Sequence, residues 1–400
     1  MRTTNLSRLF LPLFGLCLGA LALGQYAVLY SFGSGSIYLF DLFLALFDGI
    51  GLVYLLTIKQ TLKIPVSLLL LLTFCAFGAA SLAFSPLQLE PMDTLVAASY
   101  LVRFLTYVLC AALLCRLTNL GVIQVDKLHR GVVYTGLVLF AAGLVQLVIL
   151  PDLATLNPTL GWDPHKNRMA STLFDPNFLG MYFVICLAAA VRVKTPATRR
   201  LATHYLPILM LLMGILLTFS RSAWLATAIL LLFSLLRQRL LLLSSLAVLL
   251  LAVFAIPRVQ TRLAGITDPQ DSASFRLVSW QTTWEITRDN WVFGIGYNAF
   301  RYAQQEYGFL GTASSTTRSG AGSDASLLLV LATTGIFGLI CFGGYFGAVL
   351  AQALSRRDTV IVGLILALLV DSLFINSLFY PQIAVVSLLL FTVPAQNGGR

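Results

Sequence analysis

Apolar residues run along this chain in long blocks, separated by short polar stretches. A block of about 20 apolar residues is the length a helix needs to cross a bilayer. Twelve such blocks can be marked, at 9–30, 36–57, 64–84, 95–115, 131–150, 174–191, 205–219, 222–236, 240–256, 325–350, 359–376 and 382–394. One polar interval departs from the pattern. Pro257 to Asp324 separates the ninth and tenth blocks and holds six arginines, Trp280, Trp284, Trp291 and a run of small polar residues from Gly311 to Asp324. Loops beyond about 15 residues are usually functional or disordered, and the aromatics here argue against disorder. The pattern predicts an all-α polytopic membrane protein of about 12 transmembrane helices. Residues 1–400 form a single transmembrane domain, with 257–324 inserted between the ninth and tenth spans.

Within the long loop, Ser272 to Asn290 can form an amphipathic helix. Arg276, Trp280, Trp284 and Arg288 recur every four residues and define one broad face. Such a helix lies on the bilayer with its tryptophans at headgroup level, or it serves as a platform that presents Arg276 towards Arg221. Gly294-Ile-Gly296-Tyr297 reads as a turn; a dinucleotide fingerprint would need a third glycine and a preceding strand. A second, shorter polar loop, Pro151 to Phe174, contains Arg168 and leads into Asp175-Pro-Asn177. Proline suits the first turn of a helix, so a helix is expected to start there. Ser220-Arg221-Ser222 joins two tightly connected spans, and Arg221 is the only charge in that junction. A charge held so close to the membrane is a functional candidate. Arg103 lies just inside the outer end of the fourth span, where arginines commonly snorkel to the interface.

Composition and charge sharpen the topology. The chain is 58% hydrophobic and 10% charged, against roughly 25% charged in soluble domains. One set of loops carries sixteen basic residues against two acids, Asp126 and Asp358; the other carries ten against eleven. The basic side is expected to be cytoplasmic. Both termini and the Arg192–His204 loop then face inward, and the long loop faces out. The net charge of +10 is thus a matter of topology and implies no nucleic acid. Arg2 and Arg8 precede an apolar run, as in a signal peptide, but the run continues to about Tyr30 and suits a first span that is retained. The six cysteines all fall in or at the ends of apolar segments and read as packing residues. His129, His165 and His204 are scattered without metal-ligand spacing, so the sequence supports neither a metal nor any other cofactor.

Outward-facing arginines at a membrane surface suit an anionic, lipid-linked group. Arginine grips phosphate oxygens with two parallel hydrogen bonds and keeps its charge at any relevant pH. Two of them can stabilise a departing pyrophosphate without a metal, and a nearby carboxylate can take the proton of an incoming hydroxyl. Asp324 stands where the Gly/Ser run meets the tenth span, with Arg318 six residues before it.

These features together resemble the O-antigen ligase and O-antigen polymerase superfamily of bacterial membrane glycosyltransferases, over about residues 150–340. Arg221-Ser-Ala-Trp-Leu225 looks like that family's R-x-x-x-L element, and Asp324-Ala with Gly335-Ile-Phe-Gly338 is similar to its H-[NSQ]-x9-G-x-x-G pattern. Arg168 with Asp175-Pro-Asn177, and Arg276 with Gly294-Ile-Gly296, resemble weaker blocks. The resemblance implies an inverting, metal-independent transferase in the cytoplasmic membrane. Its donor would be a glycan on undecaprenyl pyrophosphate, and its acceptor a hydroxyl of a saccharide or lipid. Arg221 and Arg276 would hold the pyrophosphate and Asp324 would act as base, with Arg168, Asn177 and Arg318 as further candidate substrate contacts. The family's histidine is replaced here by Asp324, which favours polymerase-like or other glycan transfer over ligation to a lipopolysaccharide core. His165 is a second candidate base, and Asp324 also suits a helix N-cap. A carrier for a lipid-linked or anionic substrate is the alternative, kept open by the intramembrane acids Asp41, Asp48 and Asp371. An enzyme should bring Arg221, Arg276 and Asp324 together at one membrane surface; a carrier should line a central cavity with those acids.

Overall fold

The computed structural model describes residues 6–156, 165–193, 204–235, 257, 260–261, 272–310 and 322–393. Among them are thirteen α-helices: α1 (Phe10–Leu23), α2 (Leu39–Thr57), α3 (Val66–Ala83), α4 (Pro91–Asn119), α5 (Val125–Ile149), α6 (Pro176–Arg192), α7 (Leu206–Thr218), α8 (Arg221–Leu235), α9 (Ser272–Asn290), α10 (Phe300–Glu306), α11 (Ser326–Ser355), α12 (Thr359–Asp371) and α13 (Pro381–Thr392). Six segments are long and apolar enough to cross a membrane, and five further apolar helices are shorter. Together they answer to every expected span except 240–256, which lies outside the described residues. The protein is a polytopic, helical membrane protein. Helix α6 runs through the middle of the bundle, with every side chain from Leu179 to Ala190 buried, packed by α5, α7, α8, α12 and α13. By contrast Val66, Val148 and Ile149 are exposed, as expected of helices that are apolar on every side and meet lipid.

Residues 24–38, which the apolar pattern divides between the first two spans, depart from it. Helix α1 stops at Leu23, Gly24 takes φ +54, and an antiparallel hairpin follows, β1 (Val28–Phe32) with β2 (Gly35–Tyr38). A side chain at Gly24 would lie 2.5 Å from the Thr172 carbonyl oxygen, so the chain turns where only glycine fits. Arg103 holds the hairpin and does not snorkel. Its guanidinium donates to the Asp41 carboxylate at 2.8 Å and to the Ser36 carbonyl, and sits over the Tyr100 ring, 4.7 Å from its centroid. Asp41 in turn accepts the Tyr38 N–H at 2.9 Å, closing the start of α2.

A second, smaller core sits at the same end of the bundle. Leu87, Ile286, Ile295, Ala299, Phe300, Ala303, Leu329 and Ala332 pack together, which ties α9, α10 and the first turns of α11 to the α3–α4 link. Helix α11 is not one continuous span. It breaks at Gly335, where φ is 67° and ψ −170°, and the Trp291–Gly296 loop fills the break. Ile295 N–H donates to the Ala332 carbonyl at 2.9 Å, Gly296 N–H to Thr333 at 3.1 Å, and Ile336 N–H to Trp291 at 2.9 Å. These replace the helical bonds that the break removes. A Cβ at Gly335 would lie 2.0 Å from the Val292 carbonyl oxygen, and one at Gly294 2.4 Å from the Thr333 carbonyl carbon. The Gly335 conformation is essentially restricted to glycine, and forcing it on another residue costs roughly 1–3 kcal/mol before any clash. Gly335→Ala should therefore melt well below the wild type in detergent. Gly343→Ala, with nothing within 4 Å of the added carbon, should melt with it. Equal melting temperatures for the two variants would contradict this account.

The four-residue stripe on α9 splits in the structure. Arg276 and Trp280 are half-buried, whereas Trp284 is 56% exposed and Arg288 is exposed. Four residues advance a helix by more than a full turn, so the stripe drifts by about 40° at each step. Three steps carry Arg288 out of the face that packs. The inward face is formed by Arg276, Ser279, Thr283, Ile286 and Thr287.

Candidate active site

Arg221 is the first residue of α8, delivered by a sharp elbow from α7. The elbow turns at Phe219, whose φ is +49. The Thr218 hydroxyl accepts the Ser220 N–H at 3.3 Å, the Ser220 and Ser222 hydroxyls meet at 3.2 Å, and Trp224 Nε1 donates to the Ile215 carbonyl at 3.3 Å. Helix α6 approaches so closely that a Cβ on Gly180 would lie 2.7 Å from that of Ala223. The short side chains at Ser220 and Ala223 permit this approach.

Arg276 comes from α9, on the face that packs inward. Its guanidinium carbon lies 5.9 Å from the centroid of Phe374, and Trp280 leans on the same ring. Burial lowers the Arg276 pKa. The charge of Asp324 raises it, that of Arg221 lowers it, and those of Asp371 and Asp175 raise it. The guanidinium thus has one like charge and three carboxylates around it.

Asp324 is placed by α9 itself. Its backbone N–H donates to the Ser279 hydroxyl at 3.0 Å, and the Thr283 hydroxyl donates to that of Ser323 at 2.8 Å. Ser279 and Thr283 share a helix face with Arg276, so one surface of α9 sets both the arginine and the carboxylate. The N-cap reading of Asp324 is corrected here. Helix α11 starts at Ser326 with Ala325 as its N-cap residue. Its first N–H groups are met by the Ser323 hydroxyl, at 3.3 Å from Ala325 N, and by the Ser372 carbonyl, at 2.8 Å from Ser326 N.

Arg168 and Asn177 turn towards each other. Arg168 Nη2 donates to Asn177 Oδ1 at 2.9 Å, Nε donates to the Thr218 carbonyl at 2.8 Å, and Nη1 meets His165 Nδ1 at 3.3 Å. Asp175 caps α6, accepting the N–H groups of Asn177 at 2.6 Å and Phe178 at 3.2 Å. His165 therefore sits in the Arg168 cluster. Arg318 lies outside the described residues.

The three intramembrane acids go to three different places. Asp41 pairs with Arg103, Asp48 is buried beside Cys17 and Cys110, and Asp371 is fully buried at the end of α12, beside Ser222, Ser377 and Arg276. Asp371 is the site neighbour that the sequence reading assigns to transport. The available signal was its position at the end of an apolar run, level with the Arg221 elbow.

Residues 206–343 match the family model described as O-antigen ligase. The match opens at α7 and closes within α11, so it takes in Arg221, Arg276, Asp324 and Gly335, and leaves Arg168, Asp175 and Asp371 outside. No curated protein matches the chain.

Proposed function

We propose that the O-antigen ligase domain of this membrane protein passes a glycan from undecaprenyl pyrophosphate to a hydroxyl on an acceptor saccharide or lipid. The reaction takes place at the outer face of a bacterial cytoplasmic membrane. The observation that carries this reading is the place of Arg276, within electrostatic reach of both Arg221 and Asp324, on the same face of α9 that fixes the Asp324 backbone through Ser279; the three residues come from three separate elements. Two guanidiniums held near each other repel, and a bound diphosphate relieves that repulsion. It also accepts paired N–H donors in the planar geometry arginine offers.

The step is a single displacement. The acceptor oxygen bonds to the anomeric carbon as the bond from that carbon to the pyrophosphate oxygen breaks. The hydroxyl proton passes to the Asp324 carboxylate, and the negative charge that grows on the leaving pyrophosphate is met by Arg221 and Arg276. Attack from the face opposite the leaving group inverts the anomeric centre. The arginines supply the charge that a metal would otherwise provide, so transfer should proceed in chelator. Purified protein given a defined undecaprenyl-pyrophosphate glycan and candidate acceptors tests the proposal: one added unit means ligation, a ladder means polymerisation. Donor left intact with every acceptor would remove the reading.

The same proposal sets the topology, with both termini and the Arg192–His204 loop cytoplasmic and residues 257–324 an inserted outward loop. The charge asymmetry of the loops motivates it. On a cysteine-free background, an impermeant thiol reagent should label Ser314→Cys in intact cells and spare Thr198→Cys. The reverse pattern would invert the orientation and put the site on the wrong side for this donor.

A further inference from the structure

We infer that Arg168 is a positioning residue for Arg221: it locks the elbow that carries Arg221 and makes no contact with the donor. The inference rests on the pyrophosphate-clamp reading above. Arg168 is only 7% exposed. All three guanidinium nitrogens are engaged by protein, with the Thr218 carbonyl, His165 Nδ1 and Asn177 Oδ1 as partners. Those partners belong to the end of α7, the shorter polar loop and the first turn of α6. Thr218 stands three residues before Arg221, next to Phe219 in its left-handed conformation. A bulky residue keeps that conformation only where its surroundings dictate it.

The loop that presents Arg168 is itself anchored. Met169 N–H donates to the Leu217 carbonyl at 2.9 Å, beside the Arg168–Thr218 bond. Gln146 of α5 accepts the N–H groups of Ala170 at 2.9 Å and Ser171 at 3.2 Å, and its amide donates to the Leu150 carbonyl at 2.8 Å. A continuous set of bonds therefore runs from α5 through the loop to the elbow. Arginine suits the central place because its planar fork reaches acceptors in several directions at once, which a lysine ammonium on a flexible stem does not reproduce.

The test is a double-mutant cycle on the full-length protein in nanodiscs, with undecaprenyl pyrophosphate itself as the binding probe. Arg168→Ala should weaken binding and lower glycan transfer by about 10²-fold, the scale of a small misplacement of a reacting group. Lysine should not restore either. In an Arg221→Ala background the further change Arg168→Ala should leave binding where Arg221→Ala alone puts it, because a residue that acts through another adds nothing once that other is gone. If Arg168→Ala weakens binding by the same factor in both backgrounds, Arg168 touches the donor directly and the inference fails. It fails equally if Arg168→Ala binds and transfers like the wild type, or if its losses match its fraction of unfolded protein. Should Arg168→Ala not be recovered folded, Asn177→Ala, which removes one bond of the three, runs the same cycle. Undiminished binding by Arg221→Ala alone would instead overturn the clamp reading, a result distinct from the others.

Discussion

Replacing Asp324 by asparagine is expected to lower glycan transfer by roughly 10²–10⁴-fold, the usual worth of a positioned general base, while donor binding persists. Asparagine keeps the shape and the neighbours of Asp324. Its backbone bond to Ser279 is untouched, and the cap of α11 is made by other groups. On the proposed mechanism the variant therefore removes the proton acceptor and keeps the backbone setting. A second measurement separates a carboxylate base from an imidazole. Ordinary aspartate titrates near pH 3.9 and histidine near 6.5. A carboxylate base should keep transfer running well below pH 6, where an imidazole base would be protonated and inactive. Asp324→His should retain some activity and move the acid limb of the profile upward. Initial rates from about pH 4.5 to 8.5 for wild type and both variants give the comparison. Near-normal transfer by Asp324→Asn would leave Asp324 as structure and send the search for the base to Asp175 and His165.

Arg221→Ala and Arg276→Ala should each lower turnover by at least roughly 10²–10³-fold, the scale seen when one donor to a developing oxyanion is removed. Donor binding should weaken as well, by about tenfold or more, since a charge-assisted hydrogen bond contributes about 1.5–3 kcal/mol. Lysine should rescue each only in part, as a point charge in place of a planar fork. The two positions also differ. Arg276 lies over Phe374 and among three carboxylates, so its loss leaves those negative charges uncompensated and should harm donor binding more. Arg221→Ala should weaken binding clearly but by the smaller factor of the two. Transfer and binding close to wild type in either alanine variant would show that the clamp is misassigned.

Much of this architecture was legible in the sequence because membrane spans announce themselves by length and apolarity. The hairpin at 28–38 was not, since Val28-Leu-Tyr-Ser-Phe32 is as apolar as the helices on either side. Only its partner across the turn and the Arg103–Asp41 pair make it a strand. Arg221 and Arg276 stood out as cations beside the membrane, and the structure sets Arg276 near both Arg221 and Asp324. The part played by Arg168 was hidden, because a hydrogen bond to the Thr218 carbonyl has no side-chain signature at position 218. Asp371 was read by the company it keeps in sequence, an apolar helix, and not by the company it keeps in space. The stripe on α9 was legible as a helix, but a four-residue repeat drifts, and the packed face had to be seen to be known.

The bonds that join Trp291–Gly296 to the broken turn of α11 bear on how this protein can be re-engineered. Two glycine-bearing segments some forty residues apart in sequence behave as one fitted joint, each carrying the backbone atoms the other lacks. The long loop is consequently not a detachable cassette. A chimera that imports a foreign loop, but keeps the native 332–336 segment, would pair a plug with the wrong socket and shift Arg276 relative to Asp324. Exchanging both halves of the joint together keeps that spacing and leaves the rest of the loop open to redesign.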